Sequence, residues 1–211
     1  MQTENKIILS GYHGDLYEKM SDLTSPLMEN YAKKHNSEYK LIKFEKGNRP
    51  ISWEKIPLIK NYLKKYDVVL WMDADIVIIN DSVDIFNLIE DEKIQYMVQH
   101  YVVDLVVPNA GMWMLKKEML EYLDTIWNND KYLNHGWWEQ AALIELMGFE
   151  VTPHRADLKN PTQLYYKTKF LEQKWNHHPN DLQRVADPFF IHVTMYPDRL
   201  QTIQQIIDNF I

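Results

Sequence analysis

The sequence predicts one α/β domain whose central sheet is mainly parallel and flanked by helices. Val68 to Met72 form five consecutive apolar residues, and Ile76 to Ile79 form four more beyond Asp73-Ala74-Asp75. An unbroken apolar run rich in β-branched residues suits a strand covered on both faces, as inside a parallel sheet. Strand-like and helix-like segments also alternate through the first half, the pattern of layered α/β folds. A length of 211 residues suits one domain over 1–211.

In chain order, Lys6 to Tyr12 reads as a first strand that runs into Gly11, where a backbone can approach a ligand closely. Ser25 to His35 reads as a helix with Pro26 near its start. Tyr39 to Phe44 is a second strand, and Gly47-Asn48-Arg49-Pro50 a loop. Trp53 to Lys65 is a helix, followed by the strand that carries the two aspartates at its exit, within the stretch Asp67 to Asn80. Asp81 to Asp84 reads as a helix start capped by Asp81 or Ser82. Ile94 to His100 is a strand, and Pro108-Asn109-Ala110-Gly111 a turn leading into Met112 to Leu115. Glu118 to Trp127 and Gly136 to Met147 are helices, the second ended by Gly148. Phe149 to Thr152 is a short strand, and 154–188 is rich in loops. Phe189 to Val193 is a late strand before an amphipathic helix over Pro197 to Phe210.

Composition narrows the function. A net charge of −7 and the lack of a basic tract disfavour a partner bound through nucleic-acid phosphates. With no cysteine there is neither a disulfide nor a thiolate zinc site. The first residues do not resemble a signal peptide, and no apolar stretch reaches membrane-spanning length, so the expected location is the cytoplasm. The apolar helix at the end raises the expectation of further domains in the same polypeptide. Seven Trp and thirteen Tyr suit sugar and nucleotide pockets, although any single one is more simply a core residue.

The candidate chemistry centres on Asp73 and Asp75. Two carboxylates at the exit of an apolar strand are costly to bury without compensating charge. Residues i and i+2 of a strand share a side, so both carboxylates can converge on one hard cation, Mg²⁺ or Mn²⁺, able to hold a diphosphate. His192 follows another apolar run and is the candidate third ligand. His13, His100, His135, His154, His177 and His178 lack a comparable setting, and the adjacent His177-His178 reads as a solvated loop. Asn109 offers an amide for sugar hydroxyls, or a plain turn. Trp137-Trp138-Glu139-Gln140 offers rings and polar groups for a sugar, or an acid favourable to a helix dipole. Lys55, Lys60 and Arg199 are candidate phosphate contacts, or ordinary surface charges.

These residues, in this order, resemble the metal-dependent nucleotide-sugar glycosyltransferases of the GT-A (Rossmann-like) fold. The similarity is to the group holding plant xyloglucan xylosyltransferases and fungal α-galactosyl- and α-mannosyltransferases, and to compact glycosyltransferases of large algal viruses. The matching segments are Trp53 to Lys60, Trp71-Met72-Asp73-Ala74-Asp75, Asn109-Ala110-Gly111, Glu139-Gln140 and His192. The resemblance implies a Mn²⁺-dependent hexosyl- or deoxyhexosyltransferase that uses a UDP-sugar donor and a glycan acceptor and retains anomeric configuration. It implies a nucleotide-binding half near 1–105 and a donor-sugar and acceptor half near 106–211. Asp73, Asp75 and His192 would hold the metal, with Asp73 also on the ribose. Ser10, Gly11 and Tyr12 would receive the uridine, helped by Lys55. Asn109, Gly111, Glu139 and Gln140 would surround the donor sugar. The family's late Gly and diphosphate-binding Lys are replaced here by Met195-Tyr196-Pro197-Asp198-Arg199, which leaves Tyr196 or Arg199 for that role. An inverting enzyme would need a base such as Glu139, Asp104 or Asp157.

Two other readings compete. Asp73-Ala74-Asp75-Ile76-Val77 also fits an aspartyl-phosphate phosphatase signature, without the later acidic metal motif of that class. The same fold could also bind a sugar nucleotide or glycan without turnover. Acceptor contacts are expected in 154–188, at Tyr165, Tyr166 and Trp175.

Overall fold

The computed structural model describes residues 5–102, 105–178 and 185–211. The chain opens with β1 (Lys6–Tyr12), α1 (Asp15–Lys34), β2 (Glu38–Lys43) and α2 (Lys55–Leu63), the last entered through a 3-10 turn at Ile51–Glu54. Then come β3 (Val68–Met72), β4 (Ile76–Ile78), β5 (Gln95–Val102) and β6 (Leu105–Lys116). The second half carries α3 (Leu120–Trp127), α4 (Trp138–Leu146), β7 (Phe149–Thr152), β8 (Arg155–Leu158), α5 (Gln163–Tyr166) and β9 (Thr168–Leu171). It closes with β10 (Phe190–His192) and α6 (Arg199–Phe210).

The main sheet has six strands in the order β2-β1-β3-β6-β5-β9. The pairs β1–β2, β1–β3 and β5–β9 are parallel, whereas β6 runs antiparallel to both of its neighbours. The apolar run of β3 is explained by its two covered faces. Val69 and Trp71 pack with Ile56, Ile59 and α3 and α4 residues, while Val68, Leu70 and Met72 pack with Met28, Tyr31 and Phe190. Each fully buried aliphatic of this kind contributes about 1.5–3 kcal/mol relative to exposure. A third cluster joins Met20 of α1, Val77 of β4, Ile191 of β10 and Ile203 of α6. Among the described residues, no helix is long and apolar enough to cross a membrane.

The structure corrects several sequence expectations. The strand expected to carry the aspartates does not continue through them: it is interrupted at Asp73-Ala74-Asp75, where Ile76 N donates to Asp73 O at 3.1 Å. Its first part belongs to the main sheet and its second pairs with β10. The first helix starts at Asp15 and not near Ser25, so Pro26 lies inside it. Met20, Ser21, Thr24, Met28, Tyr31 and Ala32 are its buried residues, a helical stripe whose burial outweighs the bond that Pro26 cannot donate. Asp84 caps only a 3-10 turn, by accepting from Phe86 N, while Asp81 accepts from Lys34 Nζ. The expected turn at Pro108–Gly111 lies inside β6. Finally, the loop-rich stretch contributes β9, an edge strand of the main sheet. Its few apolar residues suffice because only Thr168 and Leu171 are buried there.

Candidate active site

The break after β3 builds the site. Asp73 N continues the β3–β6 ladder by donating to Gly111 O at 2.8 Å, and the chain then turns. Thr24 Oγ1 fixes the turn by donating to Ala74 O at 2.9 Å. On the far side Val193 N donates to Asp75 O at 2.9 Å, which docks the end of β10 beside the turn. The two carboxylates and the imidazole of His192 are thereby brought together from segments more than a hundred residues apart. One ligand atom from each of Asp73, Asp75 and His192 lies within 4.8 Å of the others. His192 Nε2 is 3.3 Å from Asp75 Oδ1 and 3.9 Å from Asp73 Oδ2. The i, i+2 convergence expected of a strand is thus produced by a turn.

The surroundings fit a divalent cation. The donor set is two carboxylates and one imidazole, which suits Mn²⁺ or Mg²⁺. Asp75 and His192 are only 4% and 3% exposed. His192 Nδ1 is buried with no hydrogen-bond partner among the described residues. Gly111 leaves the space open, since a Cβ there would collide with His192 Cε1 and lie 3.0 Å from Asp73 Oδ2. Its place follows from the ladder. Met97 pairs with Trp113 but Val98 with Asn109, so Ala110, Gly111 and Met112 bulge out of the β5–β6 register.

A second group of charges adjoins the first. Lys55 Nζ lies 2.6 Å from Glu139 Oε1 and 3.7 Å from Asp73 Oδ1, and donates to Ala110 O at 3.2 Å. Lys55 and Glu139 are both buried. Burial pushes the Lys55 ammonium down, but Asp73 and Glu139 outweigh it and hold the group above its usual value. Burial raises Glu139 above the carboxylate range against the opposing pull of Lys55. Its Oε2 has no partner among the described residues. Gln140 Oε1 accepts from Ala110 N at 2.9 Å. Asn109 Oδ1 accepts from Gly111 N and from Asn176 Nδ2, each at 2.9 Å.

Asp75 is held from two sides. Burial pushes its carboxyl up, yet His192 and Arg199 outweigh burial and keep it below the usual range. His192 is raised in return, because Asp75 and Asp73 overcome its burial. Arg199 Nη1 is 3.1 Å from Asp75 Oδ2, and its Nη2 donates to Tyr17 OH at 3.0 Å.

A cavity of about 750 Å³ covers both groups. Gly11, Tyr12, Lys55, Asp73, Asp75, Asn109, Gly111, Glu139, Gln140, His192 and Arg199 all line it. Ser10 and Tyr196 do not. The Ser10 hydroxyl is buried without a partner among the described residues, and Tyr196 packs against the α1–α6 cluster. Gly11 leaves room for Phe44, whose Cζ would be 2.7 Å from an added Cβ. Lys60 is ion-paired with Asp124, and Asp157 accepts from Arg155 in the β7–β8 hairpin at 2.8 Å. Asp104 lies outside the described residues.

Sequence reasoning missed part of the wall. His100, His154 and His178 line the cavity as well. His177 and His178 are buried and not solvated, because His177 N and O bond to Phe190 O and His192 N on the β10 backbone. His100 is pushed down to about 3, by burial first and then by His192, so it is neutral near pH 7. Tyr165, Tyr166 and Trp175 do not line the cavity: Trp175 is core, Tyr165 packs on the first cluster, and Tyr166 borders a separate surface hollow. Trp138 does line it, with φ +44. A left-handed backbone at a bulky non-glycine residue costs about 1–3 kcal/mol and is found where the surroundings impose it.

The architecture has solved counterparts. A glycosyltransferase involved in glycosylation of the major capsid of PBCV-1 superposes with a TM-score of 0.72, over 97% of this chain and 99% of that one, at 17% identity. The galactosyltransferase LgtC, in complex with donor and acceptor sugar analogues, superposes at 0.61 over 97% and 96% of the two chains, at 8% identity. The glycosyltransferase GlyE of Streptococcus pneumoniae TIGR4 gives 0.64 over 97% of this chain and 60% of that one, at 11% identity. At such identities the likeness is one of fold, the α/β GT-A fold. The sequence pattern of glycosyl transferase family 8 matches residues 4–148, and the chain belongs to that family of glycosyltransferases. An uncharacterized α-1,2-galactosyltransferase of Schizosaccharomyces pombe is 23% identical over an alignment of 158 positions that covers 56% of this chain. The chain spans 42% of the length of that relative.

Proposed function

We propose that the protein moves a hexose or deoxyhexose from a UDP-sugar to a hydroxyl of a glycan acceptor, with retention of anomeric configuration. The observation that carries this reading is the Asp73–Asp75–His192 set on the wall of a cavity that Glu139 and Gln140 also line. A divalent cation, Mn²⁺ or Mg²⁺, held by these three residues would offset the charge that develops as the diphosphate leaves. Residues of 1–105 receive the nucleotide, with Gly11 and Tyr12 against the uridine. Residues of 106–211 surround the sugar and acceptor. Asn109, Glu139 and Gln140 hold the sugar hydroxyls. Lys55 keeps Glu139 and Asp73 in place, and Gln140 has its amide nitrogen left for the substrate because its oxygen is taken by Ala110 N. Arg199, which also lines the cavity, is the candidate contact for the diphosphate. In the transfer, the bond from sugar C1 to the diphosphate oxygen breaks. A bond from C1 to the acceptor oxygen forms on the same face, and the acceptor proton passes to the departing phosphate.

Calorimetric titration of UDP, with and without Mn²⁺, tests the reading on the wild type and on Asp75→Ala. The expected result is binding that requires Mn²⁺ and weakens by about 100-fold or more in the variant, the scale of losing a metal ligand. Binding in neither condition would overturn it and make phosphate-ester hydrolysis by Asp73 and Asp75 the next reading to assay. Binding without turnover of any UDP-sugar would point to a non-catalytic module.

A further inference from the structure

The two tryptophans before Glu139 have different fates. Trp137 also borders the cavity, but it is partly buried, packs against the first core cluster and has the His135 ring against it at 5.5 Å. Trp138 is 42% exposed and lines the cavity. Its left-handed backbone is imposed by its neighbours. Trp137 N donates to His135 Nδ1, Trp138 N to His135 O and Gln140 N to Trp137 O, each at 3.0 Å. These bonds hold the turn that sends Glu139 and Gln140 into the cavity, and the same turn keeps Trp138 out of the core. Among the described residues, no ring or cation packs on the Trp138 indole and none is hydrogen-bonded to its Nε1. Tyr17, also on the wall, differs: Arg199 already covers its ring at 4.9 Å. Gly136, two residues before Trp138, also lines the cavity and leaves it open, since a Cβ there would meet nothing within 4 Å. Polar groups line the same cavity: His154, and Glu139, which is 4% exposed with Oε2 unpartnered among the described residues.

An aromatic face that shares a cavity with a buried carboxylate oxygen, unpartnered among the described residues, is complementary to a ring that has an apolar C–H face and a rim of hydroxyls. We propose that Trp138 is the stacking platform for the acceptor, and that the acceptor presents a neutral pyranoside to it. This rests on the glycosyltransferase reading and adds which residue selects the second substrate. A nucleobase is the competing occupant of such a face. Gly11 and Tyr12, which also line the cavity, are left for it.

The test is saturation-transfer NMR with methyl α- and β-pyranosides of glucose, galactose, mannose and xylose. It is run on the wild type, Trp138→Asn and Trp138→Phe, with UDP–Mn²⁺ calorimetry on the same samples. Asn tolerates a positive φ, so it removes the ring without adding strain. At least one glycoside should receive saturation at its ring C–H protons in the wild type. Its affinity should fall about tenfold in Trp138→Asn, the scale of one aromatic contact, and return in Trp138→Phe. Equal glycoside binding by the wild type and the Asn variant would overturn the proposal. So would a lack of glycoside binding by the wild type, or a loss of UDP binding in the Asn variant, which would assign the ring to the nucleotide. Glycoside binding that depends on Trp138, in a wild type that does not bind UDP, would uphold the platform and sink the transferase reading.

Discussion

Lys55 and Glu139 form one buried charge group of the cavity, and Asp75, His192 and Arg199 form another, with Asp73 between them. The first joins α2 to α4 and has one cation for its buried acid. The second joins the turn after β3 to β10 and α6, and sets two basic groups against one carboxylate. The directions of titration follow. Glu139 is raised, because burial outweighs its single partner, whereas Asp75 is lowered, because His192 and Arg199 together outweigh burial. The first group is therefore a buried strut whose acid is held by its single cation, Lys55. The second keeps an ionised carboxylate ready at the wall of the cavity. The proposed cation-loading site needs the latter, since a carboxylate binds a cation only in its charged form.

The largest expected effect comes from breaking the strut. Lys55→Met leaves the Glu139 carboxylate buried without a cation and should cost about 3–5 kcal/mol of stability. Urea unfolding of the single variant and of Lys55→Met with Glu139→Leu measures it. Recovery of most of the loss in the double variant is expected, because replacing both members of a buried pair is far less costly than removing one. A single variant as stable as the wild type would show that the pair is not held as described.

The loading site should respond to a smaller intrusion without a comparable loss of fold. Gly111→Ala places a methyl group against His192 and Asp73. Mn²⁺-dependent binding of UDP should weaken by about 10–100-fold, as for other disturbed ligand shells. Thermal unfolding without metal should move much less than in Lys55→Met. If both variants lose stability equally, the contrast between strut and loading site fails.

The smallest effect is in pH. Asp75 is depressed, so its contribution is present above the usual carboxylate range and is lost as acid reaches its lowered value. His192 is raised, so its contribution is full below the usual imidazole value and is lost as pH climbs through the raised one. Metal-free protein should thus gain stability from this group on a plateau between the two. Denaturation across pH should show both limbs flattened in Asp75→Asn. An unchanged profile would show that the two groups do not titrate together.

Much of the architecture can be read from local pattern. The β3 run, the Asp73–Asp75 pair, the apolar faces of α2 and α6 and the end of α4 at Gly148 are written in consecutive residues. Their physical causes, burial on two faces, helical periodicity and a positive φ, act over one or two turns of chain. The motif order that places the chain among the glycosyltransferases is equally a property of the sequence. What acts across the chain was not legible. The length of α1 depended on which of its residues the sheet and α6 would cover, and that burial overrode the signal of Pro26. Asn109 and Gly111 read as a turn, because a bulge inside a strand is set by the register of its partner, β5.

The site divides in the same way. The sequence alone determined that two aspartates stand at the exit of a buried strand, with a histidine after a later one and an acid–glutamine pair between. Only the tertiary structure decided that a turn, and not strand alternation, converges the aspartates. It alone paired Lys55 with Glu139 and Arg199 with Asp75, buried His178 and left Trp138 facing the cavity. Side-chain identity is carried by the chain, but charge pairing and exposure depend on which distant segments share a space, and hydrogen bonds such as Val193 N to Asp75 O settle that only once the chain is folded.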